Sequence, residues 1–170
     1  MFFALQVATV FLVSIAMALS LAHALELPGK LRLDKEAYLT VQPIYYPGFT
    51  IGGGVGEGLG ILGTLALLLM TPTKSPEFAW TLIGFAALLV MHAVYWIMTH
   101  PVNSFGLKDQ DLRGLGAGFF TFGSTRHDAL AEPDPDDLWR RLRNRWEYSH
   151  VVRAVLAAVA LLALIVAVAM

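Results

Sequence analysis

Cysteine is missing from this 170-residue chain, which excludes disulfides, thiolate metal sites and iron–sulfur clusters held by sulfur. Charge is scarce too: Asp, Glu, Lys and Arg together make up 15% of the residues, and their balance leaves a net charge of −1. With no basic surplus, a polyanionic partner such as nucleic acid is not expected. What the chain has in place of charge is apolar surface, since 56% of it is hydrophobic. That proportion leaves too little polar surface for an ordinary water-soluble globule and makes the bilayer the natural solvent.

A hydrocarbon core about 30 Å thick needs roughly 20 successive apolar residues in helical form. Residues 2–24, 49–70, 78–98 and 150–170 each meet that requirement. The expected fold class is therefore all-α, a single integral membrane domain over 1–170 built as a four-helix bundle. Ala22-His23-Ala24 fits a small-x-small cleavage pattern. However, no Lys or Arg precedes Phe2, and the apolar run exceeds the about 7 to 15 residues of a leader core, so the segment reads as a retained span. Lys30, Arg32 and Lys35 lie in one loop (25–48), and Lys108, Arg113, Arg126, Arg140, Arg141, Arg143 and Arg145 in another (99–149), opposed only by Lys74. The positive-inside rule then places both large loops in the cytoplasm and both termini outside. Tyr45, Tyr46, Trp80, Trp96, Trp139 and Trp146 sit near span ends, where aromatic side chains anchor the interface; Trp96 also suits the bundle lining.

Two stretches organise the rest. Gly52, Gly56 and Gly60 recur every four residues, the spacing of a small-residue face that lets helices approach closely; a ligand approaching that bare backbone is the sharper alternative. Residues 100–134 show no clear period. Asp134-Pro135-Asp136-Asp137 then supplies a capping carboxylate, a first-turn proline and further acids. Trp139, Leu142, Trp146 and His150 follow at spacings of three and four with arginines on other faces, so an interfacial helix is expected to run into the last span, its arginines near anionic lipid headgroups.

Ionisable groups in a span are costly and ask for a reason. Here they gather toward one side: His23 and Glu26 end the first span, Glu57 lies about two turns into the second, His92 and His100 end the third, and Glu147, His150 and Arg153 open the fourth. At helical spacing His23 pairs with Glu26, His92 with Trp96 and His100, and Glu147 with His150 and Arg153. Glu147-Tyr148-Ser149-His150 is the Glu-x-x-His unit of di-iron bundles, although the third span offers His92 where a Glu is expected. Three readings account for the cluster. Glu57, His92, Glu147 and His150 would ligate one or two iron, manganese or zinc ions. Alternatively, with no cofactor, Glu57 or His92 would take a proton from a hydrophobic substrate while Arg153 holds developing negative charge, and His23, Trp96, His100 and Asn103 would bind that substrate. In the third reading the charges neutralise one another, as Arg143 and Glu147 would at a four-residue spacing. Lone histidines carry no haem signature.

The run Ala22-His23-Ala24-Leu25-Glu26-Leu27-Pro28-Gly29-Lys30-Leu31, the Tyr45-Tyr46-Pro47-Gly48-Phe49 approach to the second span, His100-Pro101-Val102-Asn103 and Arg145-Trp146-Glu147-Tyr148-Ser149-His150 resemble one family. It is the group of small four-helix membrane proteins classed with fungal anthrone oxygenases, and the likeness extends over about 22–154. The resemblance implies the four-helix fold and an oxygenase that converts a polycyclic phenol to a quinone without a bound cofactor. The function expected is thus oxidation of a hydrophobic small molecule arriving from membrane lipid, at a polar pocket in the cytoplasmic half. The competing expectation is a non-catalytic, lipid- or quinone-binding subunit whose glycine face and arginine helix serve assembly, as a homo-oligomer or with a partner subunit.

Overall fold

A computed structural model describes residues 1–106 and 135–170, and every described element is helical. Helix α1 runs Phe2–Lys30, α2 Lys35–Val41, α3 Gly48–Met70 and α4 Pro76–Val94; α5 covers His100–Gly106 and α6 Pro135–Ala169. A single 3-10 turn, Gln42–Tyr45, follows α2, and a π-helical turn, Tyr95–Thr99, joins α4 to α5. Four segments are long and apolar enough to cross a bilayer: Phe2–Lys30, Gly48–Met70, Pro76–Asn103 and Leu138–Ala169. The chain is therefore an all-helical, multi-pass membrane protein.

The helices extend past the apolar runs that announce them. The first continues through Glu26, Pro28 and Lys30, residues that read as loop by charge and by proline. Its last turn stays closed because Leu31 N–H still reaches Leu27 C=O at 3.0 Å, and Lys30, 4% exposed, turns into the bundle toward carboxylates. Asp34 caps α2 by accepting from Ala37 N–H at 2.9 Å, and Pro76 opens α4 at a position where its missing N–H costs nothing. The last helix is continuous from Pro135 into the apolar run. The stretch without clear period, 100–134, starts as helix over His100–Gly106; its remainder and the Asp134 cap fall outside the described residues.

The long helices form a ring in which α1 touches α3, α3 touches α4, α4 touches α6 and α6 returns to α1. Of these seams α3–α4 is the most sparsely packed. Small residues set the close ones. A Cβ on Gly56 would stand 3.0 Å from Leu12 C=O and 3.1 Å from Ala16 N, and one on Gly60 3.1 Å from Val13 Cγ2. The four-residue glycine face therefore serves contact with α1 of the same chain. Gly84 plays the same part for α4 against Leu164 and Ala160. Val13, Ala16, Leu88, Met91, Ala157 and Leu164 fill the interior, while Phe11, Leu62, Leu69 and Leu162 point outward as a lipid-facing surface. In this apolar half the hydroxyls of Thr64, Thr71 and Thr81 bond back to carbonyls four residues earlier, which satisfies them without a partner helix.

Candidate functional site

At the other end of the bundle the ring opens into a cavity of about 470 Å³, within the size range of small-molecule sites. All four long helices line it, and α2 with the 3-10 turn covers it. One wall is nearly bare backbone: Gly53, Gly54 and Gly58 face the cavity, and a Cβ on Gly54 or Gly58 would meet no atom within 4 Å. Aromatic side chains line much of the rest, with Tyr45, Phe49, Tyr95 and Trp146 among them. The glycine stretch presents two different faces of α3. Gly52, Gly56 and Gly60 meet a helix, and their neighbours leave room for a ligand.

Glu57, His92, His150 and Arg153, drawn from three helices, all line this cavity, together with His23 and Asn103. Glu57 is 5% exposed and bridges two partners. Its Oε1 accepts from His92 Nδ1 at 2.9 Å across the open α3–α4 seam, and its Oε2 accepts from Arg153 Nη2 at 2.6 Å from the opposite helix. The Arg153 guanidinium also lies 5.3 Å from the Tyr95 ring centre, and its Nε has no hydrogen-bond partner among the described residues. Trp96 Nε1–H donates to His92 Nε2 at 2.9 Å. An indole nitrogen is a donor only, so this bond assigns the imidazole proton to Nδ1, where it is donated to Glu57. The π-helical turn that carries Trp96 is a local departure from the α-helical ladder of the kind found at functional sites. The His92 side chain is 42% exposed, so the outer end of this chain of bonds is accessible.

A second polar group lies beside the first and was not anticipated as one cluster. Glu26 Oε2 accepts from Tyr45 OH at 2.6 Å, with Lys30 Nζ at 3.0 Å and His23 Nδ1 at 3.8 Å. Lys30 Nζ also stands 3.6 Å from Glu147 Oε1, which accepts from Tyr38 OH at 2.7 Å. Burial, then the neighbouring Glu147 charge, pushes the Tyr38 hydroxyl above its usual range; burial and the bond to Glu26 do the same for Tyr45. The spacing of Glu26 and Lys30 was a signal for part of this cluster. Tyr38 and Tyr45 carried none, because they arrive from α2 and the 3-10 turn.

Other expected pairings rearrange. Glu147 and His150 share a helix but not a site, since Glu147 is held by Tyr38 and Lys30 while His150 faces the cavity between Trp146 and His23 at ring distances of 4.2 Å and 4.3 Å. The metal set Glu57, His92, Glu147 and His150 therefore does not converge, and among the described residues no group of three or more His, Asp or Glu is arranged to hold an ion. Arg143 bonds Asn144 and covers the Trp139 ring, and Glu147 takes its partners elsewhere. His100 is buried against Trp96, ring centres 4.9 Å apart, outside the cavity lining. Asn103 lines the cavity and is held by Trp146 Nε1–H at 2.7 Å, and Thr99 and Ser149 bond at 2.8 Å to tie the π-helical turn to α6.

A family model described as anthrone oxygenase matches residues 48–163, more than half of the chain, spanning α3 to α6 and taking in Glu57, His92, His150 and Arg153. No curated protein and no solved structure matches.

Proposed function

We propose, on the premise that this chain belongs to the anthrone oxygenase family, that it is a membrane oxygenase acting on a flat, hydrophobic molecule with an activated methylene group. The observation that carries this reading is the bridged carboxylate: Glu57 binds His92 Nδ1–H with one oxygen and Arg153 with the other, at the wall of a cavity lined by both α3 and α4, whose seam is the most sparsely packed of the ring. A substrate dissolved in lipid enters sideways through that seam and lays its face along the glycine wall.

Within this arrangement the proton acceptor is His92 Nε2. Glu57 has both oxygens engaged and serves to hold the imidazole and to stabilise its charged form, as the carboxylate does in a catalytic triad. Loss of a methylene proton to His92 leaves an electron-rich carbanion conjugated to an oxygen. Arg153 Nε, buried and without a partner among the described residues, is the donor left for that oxygen. Dioxygen is the oxidant. The carbon loses both hydrogens and gains one oxygen atom as a carbonyl, and the second oxygen leaves as water, so the proton taken by His92 returns in the product water. By the positive-inside rule, the end of the bundle that holds the cavity faces the cytoplasm.

The test is turnover of an anthrone by purified protein in lipid discs, read by quinone absorbance and oxygen uptake. One dioxygen should be consumed per quinone, and His92→Gln should lose at least about 100-fold in rate, the scale of a lost general base. Wild-type rates in both His92→Gln and Glu57→Gln, with folding intact, would sink the reading.

A further inference from the structure

His150 is left over from that chemistry, yet its placement is unusual. The side chain is 5% exposed and lines the cavity, and neither Nδ1 nor Nε2 has a hydrogen-bond partner among the described residues. Burying an imidazole without satisfying either nitrogen carries a penalty that a helix end or a core position does not require. Its neighbours restrict what can satisfy it. Trp146 packs on it at 4.2 Å, and His23 lies 4.3 Å away with the ring planes at 38°. Rings disposed more nearly face to face than edge to edge do not aim their in-plane lone pairs at one point, so the pair is poorly built to chelate an ion. Arg153, one turn further along α6, also disfavours a cationic guest. A neutral imidazole offers one donor and one acceptor, and a hydroxyl oxygen held between aromatic walls can meet either.

We propose that His150 is a ligand-positioning residue: it hydrogen-bonds a hydroxyl oxygen on the aromatic molecule in the cavity, on the α1–α6 side, opposite the helices that carry Glu57 and His92. This rests on the reading of the cavity as a site for a flat aromatic substrate and adds a second polar contact to it. Two contacts on different sides fix the ring system in its plane, so that one carbon rather than another meets His92. An aromatic guest without the hydroxyl fits the same walls and binds without that contact.

Two fluorescent probes of equal shape, hydroxyanthracene and anthracene, decide the matter by equilibrium binding to protein in lipid discs. Lipid partitioning cancels when variant and wild type are compared with one probe. His150→Phe should weaken hydroxyanthracene about tenfold, the scale of one buried hydrogen bond, and leave anthracene unchanged, with His150→Gln recovering part of the loss. Equal losses for both probes, or no loss for either, overturn the proposal. A second measurement uses unaltered protein: nitrogen NMR of labelled imidazoles should show the His150 resonances moving with hydroxyanthracene and not with anthracene, and identical responses overturn it even if His150→Phe does not fold. Binding is read without turnover, so failure of the oxygenase reading and failure of this one are separate results.

Discussion

The indole N–H of Trp96 sits 2.9 Å from Nε2 of His92, so the nitrogen proposed to accept the substrate proton is already engaged by a neighbour one turn away. Trp96, His92, Glu57 and Arg153 form one line of bonds from the exposed indole on the π-helical turn, through α4 and α3, to the buried side of α6. The line has a definite polarity. It places the imidazole proton on the side of Glu57 and leaves Nε2 as an acceptor. On the proposed chemistry, substrate has to displace the indole N–H from that nitrogen.

That displacement makes Trp96→Phe informative. Phenylalanine keeps the aromatic bulk beside His100 and removes the competing donor. KM should fall about three- to tenfold, the value of one hydrogen bond no longer contested, with kcat largely retained. Nitrogen NMR of His92 should show a mixture of tautomers where the wild type shows one. A rate loss as large as that of His92→Gln would instead put Trp96 in the chemistry.

Glu57 and Arg153 should be energetically inseparable. Each is the other's buried counter-charge, at 2.6 Å, and Arg153 has no other carboxylate bonded to it among the described residues. Glu57→Gln should therefore destabilise the folded bundle by about 3–5 kcal/mol, because it leaves a guanidinium buried without a counter-ion. Adding Arg153→Met should return most of that stability while turnover stays lost. Thermal denaturation of the single and double variants in one detergent gives the coupling directly, and simply additive losses would show that the two charges do not depend on each other.

Length and hydropathy were enough to read the four spans, because a bilayer imposes one structural solution on an apolar run of sufficient length. The gathering of ionisable groups toward one end was legible for the same reason, since the cost of each charge marks it. Partner choice was not. The stripe from Glu147 to Arg153 suggested a common site, yet its members turn to three different neighbours, because helical spacing fixes a face and the packing of other elements decides what that face meets. Lys30 shows the limit from the other side. Beside Pro28 and Gly29 it read as loop, but it sits in the last turn of α1, where the carboxylates of Glu26 and Glu147 outweigh the local signals for a helix end.

The glycines of α3 give a prediction in which neighbouring positions respond in opposite ways. A Cβ at Gly56 would press on backbone atoms of α1, the Leu12 carbonyl at 3.0 Å and the Ala16 nitrogen at 3.1 Å, and backbone in a packed helix has little freedom to withdraw. Gly56→Leu should therefore separate α1 from α3 and abolish the folded protein, seen as lost monodispersity and a lost melting transition. At Gly58 a Cβ meets nothing within 4 Å, because the position faces the cavity. Gly58→Ala should fold at least as well as wild type, gaining about 0.4–1 kcal/mol from the stiffer unfolded chain. Gly58→Leu should fold too, but its side chain would occupy the space along which a flat ligand lies, so hydroxyanthracene binding should be lost while the melting temperature holds. Wild-type binding in Gly58→Leu would mean that the ligand does not use the glycine wall, and the proposed placement of substrate against α3 would have to be abandoned.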